Sequence, residues 1–254
     1  MKIAICLSGQ PRTITHTVDS ILNQFSNSGE HSYDFFCHSW DYNTWKSPDK
    51  VYNNDHKSVD INQLTMDIER FNPKSFIIDD ESVLWITNGR RFIQSASLSY
   101  SMMISNHLKK MHELRNNFKY DYVVKARFDN VFQLHSYIDF QRDIKERTIY
   151  FPHIGRLSCE YNKLNLSDCI FYGDSWGMDI MCDFYRYLRN LPIPDKTAPH
   201  IIGSSTGLYD YASEHNIHPK LDRSIQEIIY RKEAIGLDPA TNFTEIVNIH
   251  SSYY

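Results

Sequence analysis

Three charged residues at alternate positions, Lys125, Arg127 and Asp129, interrupt the otherwise largely apolar run from Tyr120 to Asn130. Alternate residues of a β-strand lie on one face, so the three charges are predicted to share one side of a strand. Burying them costs several kcal/mol, unless they pair with one another or face a polar ligand. The pattern favours a ligand, because perturbed charge clusters concentrate at functional sites. The alternative is an Arg127–Asp129 ion pair that only holds a sheet together.

The elements before this run predict the sheet that would carry it. Lys2 to Leu7 is predicted as a buried strand, Thr13 to Phe25 as a helix and Tyr33 to Trp40 as a second strand. A strand, a helix and a strand at this spacing form a βαβ unit, which implies a parallel sheet. The predicted fold class is therefore α/β, with a Rossmann-like, mostly parallel sheet flanked by helices in a single domain. Asp129 would lie at the carboxyl edge, where ligands bind in such sheets.

Hydrophobic periodicity predicts the remaining elements. The predicted strands are Ser75 to Ile78, 121–128, Thr148 to Phe151 and Cys169 to Tyr172, with a further strand in Phe243 to Tyr254. The predicted helices are Ile61 to Phe71, Gln94 to Phe118, Asp174 or Ser175 to Leu188, Gly207 to His215 and Leu221 to Arg231. On the long helix, Leu114 belongs to the predicted apolar stripe, whereas Lys109, Lys110 and Arg115 mark the solvent side. The polar stretches 41–58 and 155–167 are predicted as loops.

The composition narrows the classes of protein that fit. The chain has 254 residues, 41% hydrophobic and 23% charged, which is typical of a soluble globular protein. A net charge of −4 without a basic tract argues against a nucleic-acid partner. We expect no transmembrane segment and no signal peptide, since the apolar run at the start is short. The five cysteines form no C-x-x-C pair, and a reducing cytoplasm is the simplest expected compartment.

Four segments together carry a resemblance to a known family. They are Leu7-Ser8-Gly9-Gln10-Pro11-Arg12, His38-Ser39-Trp40-Asp41, Lys125-Ala126-Arg127-Phe128-Asp129, and Ser167-Asp168-Cys169-Ile170-Phe171-Tyr172-Gly173-Asp174 leading into Met178-Asp179. In order and spacing they resemble glycosyltransferase-like proteins of the nucleotide-diphospho-sugar transferase (GT-A) type, found in bacterial and viral polysaccharide synthesis. The likeness covers most of residues 1–190. It implies a nucleotide-binding half, 1–130, and an acceptor half, 131–254.

The resemblance also implies roles for individual residues. Such proteins usually carry an Asp-x-Asp metal motif, which here reads Arg127-Phe128-Asp129. Asp129 would hold Mn²⁺ or Mg²⁺ with help from phosphate oxygens, or Arg127 would itself neutralise the diphosphate and make the metal dispensable. The nucleotide-sugar donor would be bound by Ser8, Gly9, Arg12, Asp41, Lys125, Arg127 and Asp129. Arg12 could instead be a solvated loop cation, and Gly9 simply a tight turn.

An inverting transferase also needs a carboxylate base for the hydroxyl of its glycan or lipid-linked acceptor. Asp168 and Asp174 flank the relevant strand, and Asp168 is favoured because Asp174 fits a helix N-cap. A retaining enzyme would need no such base. His250 is a further candidate metal ligand, or a merely structural histidine.

Three other functions remain open at this stage. A sugar nucleotidyltransferase would usually have a more glycine-rich loop after the first strand than Ser8 to Arg12. A catalytically degenerate GT-A domain that binds glycans or partners is suggested by the missing first aspartate. A metallohydrolase is least favoured, because no His/Asp cluster at ligand spacing is visible.

Overall fold

A seven-stranded sheet organises the protein, flanked by helices on both faces. The computed structural model describes residues 1–26, 31–46, 54–84, 90–132, 136–140, 142, 144–152, 154–157, 163–190, 204–225 and 227–229. The strands are β1 (Lys2–Gly9), β2 (Ser32–Trp40), β3 (Tyr42–Lys46), β4 (Asn54–Ser58), β5 (Ser75–Asp79), β6 (Tyr122–Arg127), β7 (Asn130–Phe132), β8 (Thr148–Phe151), β9 (Ile154–Leu157), β10 (Lys163–Leu166), β11 (Phe171–Gly173), β12 (His218–Leu221) and β13 (Glu227–Ile229). The helices are α1 (Ile14–Ser26), α2 (Ile61–Glu69), α3 (Arg90–Asn116), α4 (Ser175–Met181), α5 (Phe184–Asn190) and α6 (Ser204–Glu214), with a 3₁₀ turn at Glu81–Leu84.

The main sheet has the strand order β12-β8-β11-β6-β1-β2-β5. Strand β1 pairs in parallel with β2 on one side and β6 on the other, and β2 pairs in parallel with β5. Only β11 runs antiparallel within this sheet, between β6 and β8. The predicted fold class, an α/β protein with a mostly parallel Rossmann-like sheet, is confirmed.

Side chains alternate between two cores on opposite faces of the sheet. Ile3, Ile5 and Leu7 of β1 pack with residues of α1 and α2, whereas Ala4 and Cys6 pack on the other face with residues of α3 to α6. The same alternation places Tyr122, Val124, Ala126 and Phe128 in the first core and Val123 in the second. Burial on both faces explains the nearly continuous apolar run of the central strands.

The order of connections fixes where the sheet opens. From β1 the chain moves outward through β2 to β5, then returns through α3 to β6 on the opposite side of β1. The strand order therefore reverses between β1 and β6. At the carboxyl edge, such a switch point leaves a crevice in which open α/β sheets bind ligands.

Several predicted elements are wrong in the second half. The helix predicted to end at Leu188 is two short helices, α4 and α5, separated at Cys182 and Asp183. Asp183 lies just before the first turn of α5, where its carboxylate pairs with Arg186 at 3.2 Å and favours a new helix start. The helix predicted at Leu221 to Arg231 is also wrong. Leu221 is instead the last residue of β12, which pairs with β8, and Glu227–Ile229 form β13, which pairs with β7. The turn after β12 is held because Asp222 accepts hydrogen bonds from Tyr172 and Arg142.

The predicted loops contain short hairpins. Strands β3 and β4 pair within 41–58, and β9 and β10 pair within 155–167 and its preceding residue. The predicted strand at Phe243 to Tyr254 lies outside the described residues. Among the helices that the structure describes, none combines the length and apolarity needed to cross a membrane.

Lys109 and Leu114 correct the prediction for the long helix. The Lys109 side chain is fully buried, and its ammonium group donates to Glu113 at 3.2 Å, Ser175 at 2.8 Å and Asp179 at 2.6 Å. Leu114, predicted as core, is instead 70% exposed. A lysine is usually predicted on the solvent side of a helix, and this prediction is wrong for Lys109 because partners on α3 and α4 compensate its charge.

Candidate functional site

The predicted strand charges meet just beyond the carboxyl end of β6. Strand β6 ends at Arg127, and the chain then turns at Phe128 and Asp129 before β7. Asn130 stabilises this turn, because its side-chain oxygen accepts from the Arg127 amide at 2.7 Å. Thr17 of α1 reinforces it by donating to the Phe128 carbonyl. Arg127 and Asp129 therefore come together through a turn, and not only through strand alternation.

Asp129 lies between two guanidinium groups. Arg127 donates from Nε to Asp129 Oδ1 at 2.7 Å and from Nη2 to Oδ2 at 2.6 Å, a bidentate pair. Arg12, which follows β1, donates from Nη1 to Asp129 Oδ2 at 3.2 Å. The Asp129 side chain is 2% exposed, against 19% for Arg12 and 13% for Arg127. The ion pair of the alternative interpretation is thus present, and a ligand role for the same residues stays a prediction.

The pKa of Arg127 follows from this pairing. Burial alone would lower the pKa of the guanidinium, but the Asp129 carboxylate outweighs burial and raises it. Arg127 is therefore a permanent cation held at the sheet edge. The side chains of Arg12 and Arg127 are partly exposed. Such guanidinium groups suit the oxygens of a phosphate, which they can bind in a bidentate manner.

Arg12 is oriented by the turn that follows β1. Its amide donates to Asn43 of the β3–β4 hairpin at 2.7 Å, and its Nε donates to Gln10 at 3.0 Å. This places Arg12 across the crevice between β1 and β6. The alternative of a merely solvated Arg12 does not describe this side chain, since its guanidinium group donates hydrogen bonds to Gln10 and Asp129 within the protein.

Ser8 and Gly9 are the last two residues of β1 and lie at the same edge of the sheet. Ser8 pairs in register with Arg127, and its fully buried hydroxyl oxygen has no hydrogen-bond partner among the residues that the structure describes. Gly9 has a φ of +122°, a conformation that side chains other than hydrogen rarely allow. A Cβ built on Gly9 would meet no atom within 4 Å, so the space in front of it is open. The Gly9 amide itself is engaged, because it donates to the Ser101 hydroxyl at 2.7 Å.

Lys125 ties the segment before β11 to this edge. Its ammonium group is fully buried and donates to the backbone carbonyls of Asp168 and, at 3.3 Å, Cys169. Burial lowers the pKa of Lys125, while the Asp168 carboxylate partly opposes that shift. Because β11 is antiparallel, the residues just before it lie at the carboxyl end of β6. Asp168 is therefore brought together with Lys125 and Arg127.

Asp174 lies at the opposite edge of the sheet. It follows β11, whose last residue, Gly173, pairs with Val123 near the start of β6. Its carboxylate caps α4 by accepting from the amides of Trp176 and Gly177, both at 3.1 Å. Six residues of extended chain span about 20 Å. The structure thus separates Asp174 from Asp168 and gives it the N-cap role.

Asp41 is not joined to this cluster either. Asp41 follows β2, and its backbone bonds to Asp79 and Val59 at 3.0 and 3.1 Å. Burial and the nearby Asp80 raise the pKa of its carboxyl group. Strand β1 separates β2 from β6, which puts Asp41 about 10 Å from the Arg127 strand. His250 lies outside the described residues.

The candidate metal ligand Asp129 is engaged by two arginines at this edge of the sheet. Within the described ranges, no three or more His, Cys, Asp or Glu side chains converge as metal ligands. Both oxygens of Asp129 accept guanidinium hydrogen bonds. A divalent ion would have to compete with these guanidinium groups for the Asp129 carboxylate.

Sequence reasoning missed a hydrogen-bonded group on the α3 side of the same edge. His38 of β2 contacts Asp79 of β5 and Ser101 of α3, and the Tyr100 hydroxyl donates to Asp79 at 3.2 Å. The sequence assigns no role to His38 beyond its place in the segment His38-Ser39-Trp40-Asp41. The available signal was a histidine and an aspartate near the carboxyl ends of two predicted strands.

Comparisons with other proteins add no family assignment. No model of a known protein family matches this chain, and a search of curated protein sequences found no similar protein.

Proposed function

We propose that this protein is a glycosyltransferase that moves a sugar from a nucleotide-diphosphate donor to a glycan or lipid-linked acceptor. The observation that carries the proposal is the convergence of Arg12 and Arg127 at the crevice between β1 and β6. The open space in front of Gly9 supports a ligand there. The likeness of the four sequence segments to GT-A proteins supplies the reaction class.

The chemistry of transfer explains why cations are needed at this place. The acceptor oxygen attacks the anomeric carbon, the bond from that carbon to the phosphate oxygen breaks, and the nucleoside diphosphate leaves with the electron pair. Negative charge grows on the leaving oxygen, so Arg12 and Arg127 would stabilise the transition state more than the ground state. In an inverting reaction, Asp168 would take the proton of the acceptor hydroxyl.

The phosphate charge has two possible partners in this proposal. In one, Asp129 would hold Mn²⁺ or Mg²⁺, which would supply positive charge beside the diphosphate. In the other, the arginines suffice and Asp129 orients them. Asp129→Asn separates the two. It should abolish metal-dependent nucleotide binding in the first case and preserve EDTA-insensitive binding in the second.

A thermal-shift screen tests the proposal directly. The protein would be heated with UDP, GDP, CDP, dTDP and their common sugars, each with Mn²⁺, Mg²⁺ or EDTA. A ligand at 100 times its dissociation constant stabilises the native state by about 2.7 kcal/mol, which raises the Tm of a chain this size by about 5–10 °C. Arg12→Met should remove the shift, whereas Arg70→Met, at an exposed arginine paired with Asp19, should keep it. No shift with any nucleotide would refute the proposed donor.

A second candidate function is a GT-A-like domain that binds a glycan or a partner without catalysis. The pairing of Asp129 with two arginines favours it, because a metal would have to compete with both guanidinium groups for the carboxylate. Nucleotide binding without release of nucleoside diphosphate in the presence of varied acceptors would support this function over transfer.

A further inference from the structure

A chain of hydrogen bonds joins four elements of the sheet edge. His38 Nε2 lies 3.1 Å from Asp79 Oδ2, and His38 Nδ1 lies 2.7 Å from Ser101 Oγ. The Gly9 amide donates to the same Ser101 oxygen at 2.7 Å. This hydrogen-bond array, formed by Asp79, His38, Ser101 and Gly9, therefore runs from β5 through β2 and α3 to the last residue of β1. His38 and Ser101 are fully buried, and the Asp79 side chain is 24% exposed.

The partners dictate where the protons are. A carboxylate only accepts, so His38 Nε2 carries the hydrogen that points to Asp79. In the neutral ring Nδ1 is then an acceptor, so the single Ser101 hydroxyl hydrogen goes to Nδ1 at 2.7 Å rather than to the His38 carbonyl, which lies farther away at 3.2 Å. The Ser101 lone pairs remain for the Gly9 amide. Burial lowers the pKa of His38 despite the opposing effect of Asp79, which is consistent with a neutral ring.

The groups around His38 keep this arrangement in place. Tyr100 donates a second hydrogen bond to Asp79 Oδ2, and the Trp40 ring packs edge-on against the imidazole with centroids 5.0 Å apart. The hydrogen bond from His38 is the main cause that lowers the pKa of Asp79. Asp79 is thus an anion that fixes both the tautomer and the ring orientation of His38.

The last member of the array is the residue at which β1 becomes the Arg12 turn. At a φ of +122°, Gly9 directs the chain away from the strand, and Arg12 follows three residues later. We infer that Asp79, His38 and Ser101 are positioning residues, which hold the Gly9 amide and so set the turn that presents Arg12 to the phosphate. The effect on nucleotide affinity rests on the proposed function, whereas the hold on Gly9 does not.

Exchange of the Gly9 amide with solvent tests the hold itself. The chain has nine glycines, so ¹⁵N-glycine labelling gives a short spectrum in which Gly9 can be assigned by Gly9→Ala. We expect Ser101→Ala to speed exchange of the Gly9 amide about tenfold or more, because the amide loses its acceptor. Ser105→Ala is the matched control, since the buried Ser105 hydroxyl donates only locally to Met102 at 3.0 Å. Unchanged Gly9 exchange in Ser101→Ala would overturn the inference.

A pair of isosteric variants removes packing as an explanation. Ser101→Thr and Ser101→Val add the same bulk to a buried site, but only threonine keeps the hydroxyl. Slow Gly9 exchange should be restored in the threonine variant relative to the valine variant.

Nitrogen-15 spectra of the imidazoles, with His38→Asn to assign the signal, should show a neutral ring protonated on Nε2 at pH 7. A charged ring or an Nδ1–H tautomer would contradict the array.

Nucleotide titration then separates this inference from the proposed function. With the nucleotide found by thermal shift, Ser101→Ala should weaken binding by about two- to tenfold, as expected for one lost hydrogen bond. Ser105→Ala should not. A changed Gly9 exchange with no nucleotide binding in the unmodified protein would sink the donor proposal and leave the positioning of Gly9 intact. Full affinity in Ser101→Ala would show that the array does not serve the phosphate site.

Discussion

Replacement of Lys109 by methionine tests the buried network that joins α3 to α4. Methionine keeps the approximate length of the side chain but removes the charge and three hydrogen bonds, to Glu113, Ser175 and Asp179. Glu113 and Lys109 have no exposed side-chain surface, so water cannot replace the lost ammonium group. Lys110→Met is the matched control, because that side chain is 43% exposed and lies 3.9 Å from Asp179.

The expected losses differ severalfold. Breaking a buried ionic network by removing one partner costs about 3–5 kcal/mol, whereas an exposed ion pair contributes about 0–1 kcal/mol. For a chain of this size, each kcal/mol shifts the Tm by about 2–4 °C. Lys109→Met should therefore lower the Tm by about 6–20 °C, and Lys110→Met by no more than about 4 °C.

The pH dependence of the loss gives an independent check. Burial would raise the pKa of Glu113, but Lys109, Lys119, Ser175 and the Tyr120 amide together lower it. A lowered carboxyl pKa stabilises the protein above the unfolded pKa of about 4.3, and this contribution disappears as the pH falls through the folded pKa. Without Lys109 that contribution shrinks. The difference between the variant and the unmodified protein should thus be largest near pH 7 and narrow toward pH 3.

Urea denaturation followed by circular dichroism, at pH 7 and at pH 3.5, measures both effects. A loss below about 1 kcal/mol for Lys109→Met, equal to that of Lys110→Met, would show that the buried network does not hold α3 against α4. An equal loss at both pH values would refute the role assigned to Glu113.

Three further substitutions bear on the candidate site. Asp168→Asn should abolish sugar transfer by an inverting enzyme without lowering the Tm, and retained turnover would contradict the base assignment. Asp174→Ala should cost about 1 kcal/mol of stability through the lost helix cap and leave turnover intact. Steady-state rates and Tm values of the two variants measure both effects. Gly9→Ala meets open space but an unfavourable φ, so it should cost about 1–3 kcal/mol and weaken nucleotide binding, as urea denaturation and titration would show. An unchanged affinity there would mean that the turn does not present Arg12.

The sequence predicted the first half of the fold well because its elements are locally encoded. Strand β1 and helices α1 and α2 follow apolar periodicities that burial on one or both faces demands, and they were confirmed within a few residues. The second half depends on distant partners. Leu221 and Ile225 fit a helical spacing, yet β12 forms because its backbone pairs with β8 and Asp222 accepts from Tyr172. No local pattern contains that information.

The candidate site was predictable to the same extent. The closeness of Arg127 and Asp129 followed from their spacing, while the approach of Arg12, 117 residues away in sequence, needed the parallel pairing of β1 with β6. The sequence favoured Asp168 over Asp174 through the helix N-cap pattern alone, because the antiparallel direction of β11, which sends them to opposite edges, is not encoded locally. Ser101 could not be distinguished from the other serines of α3 until its contact with Gly9 was known.

The pairing of β1 with β6 also shapes the biosynthesis of the protein. Ile3 pairs with Tyr122, so the whole of α1, β2, α2, β5 and α3 must leave the ribosome before the central strand gains its second neighbour. At a synthesis rate of about 5–20 residues per second, the apolar edge of β1 stays open for on the order of ten seconds. During that interval the nascent chain exposes an unpaired strand edge, the kind of surface that chaperones cover and that other chains can join. We therefore expect the yield of folded protein to depend on chaperone supply and growth temperature more strongly than the stability of the finished fold would suggest.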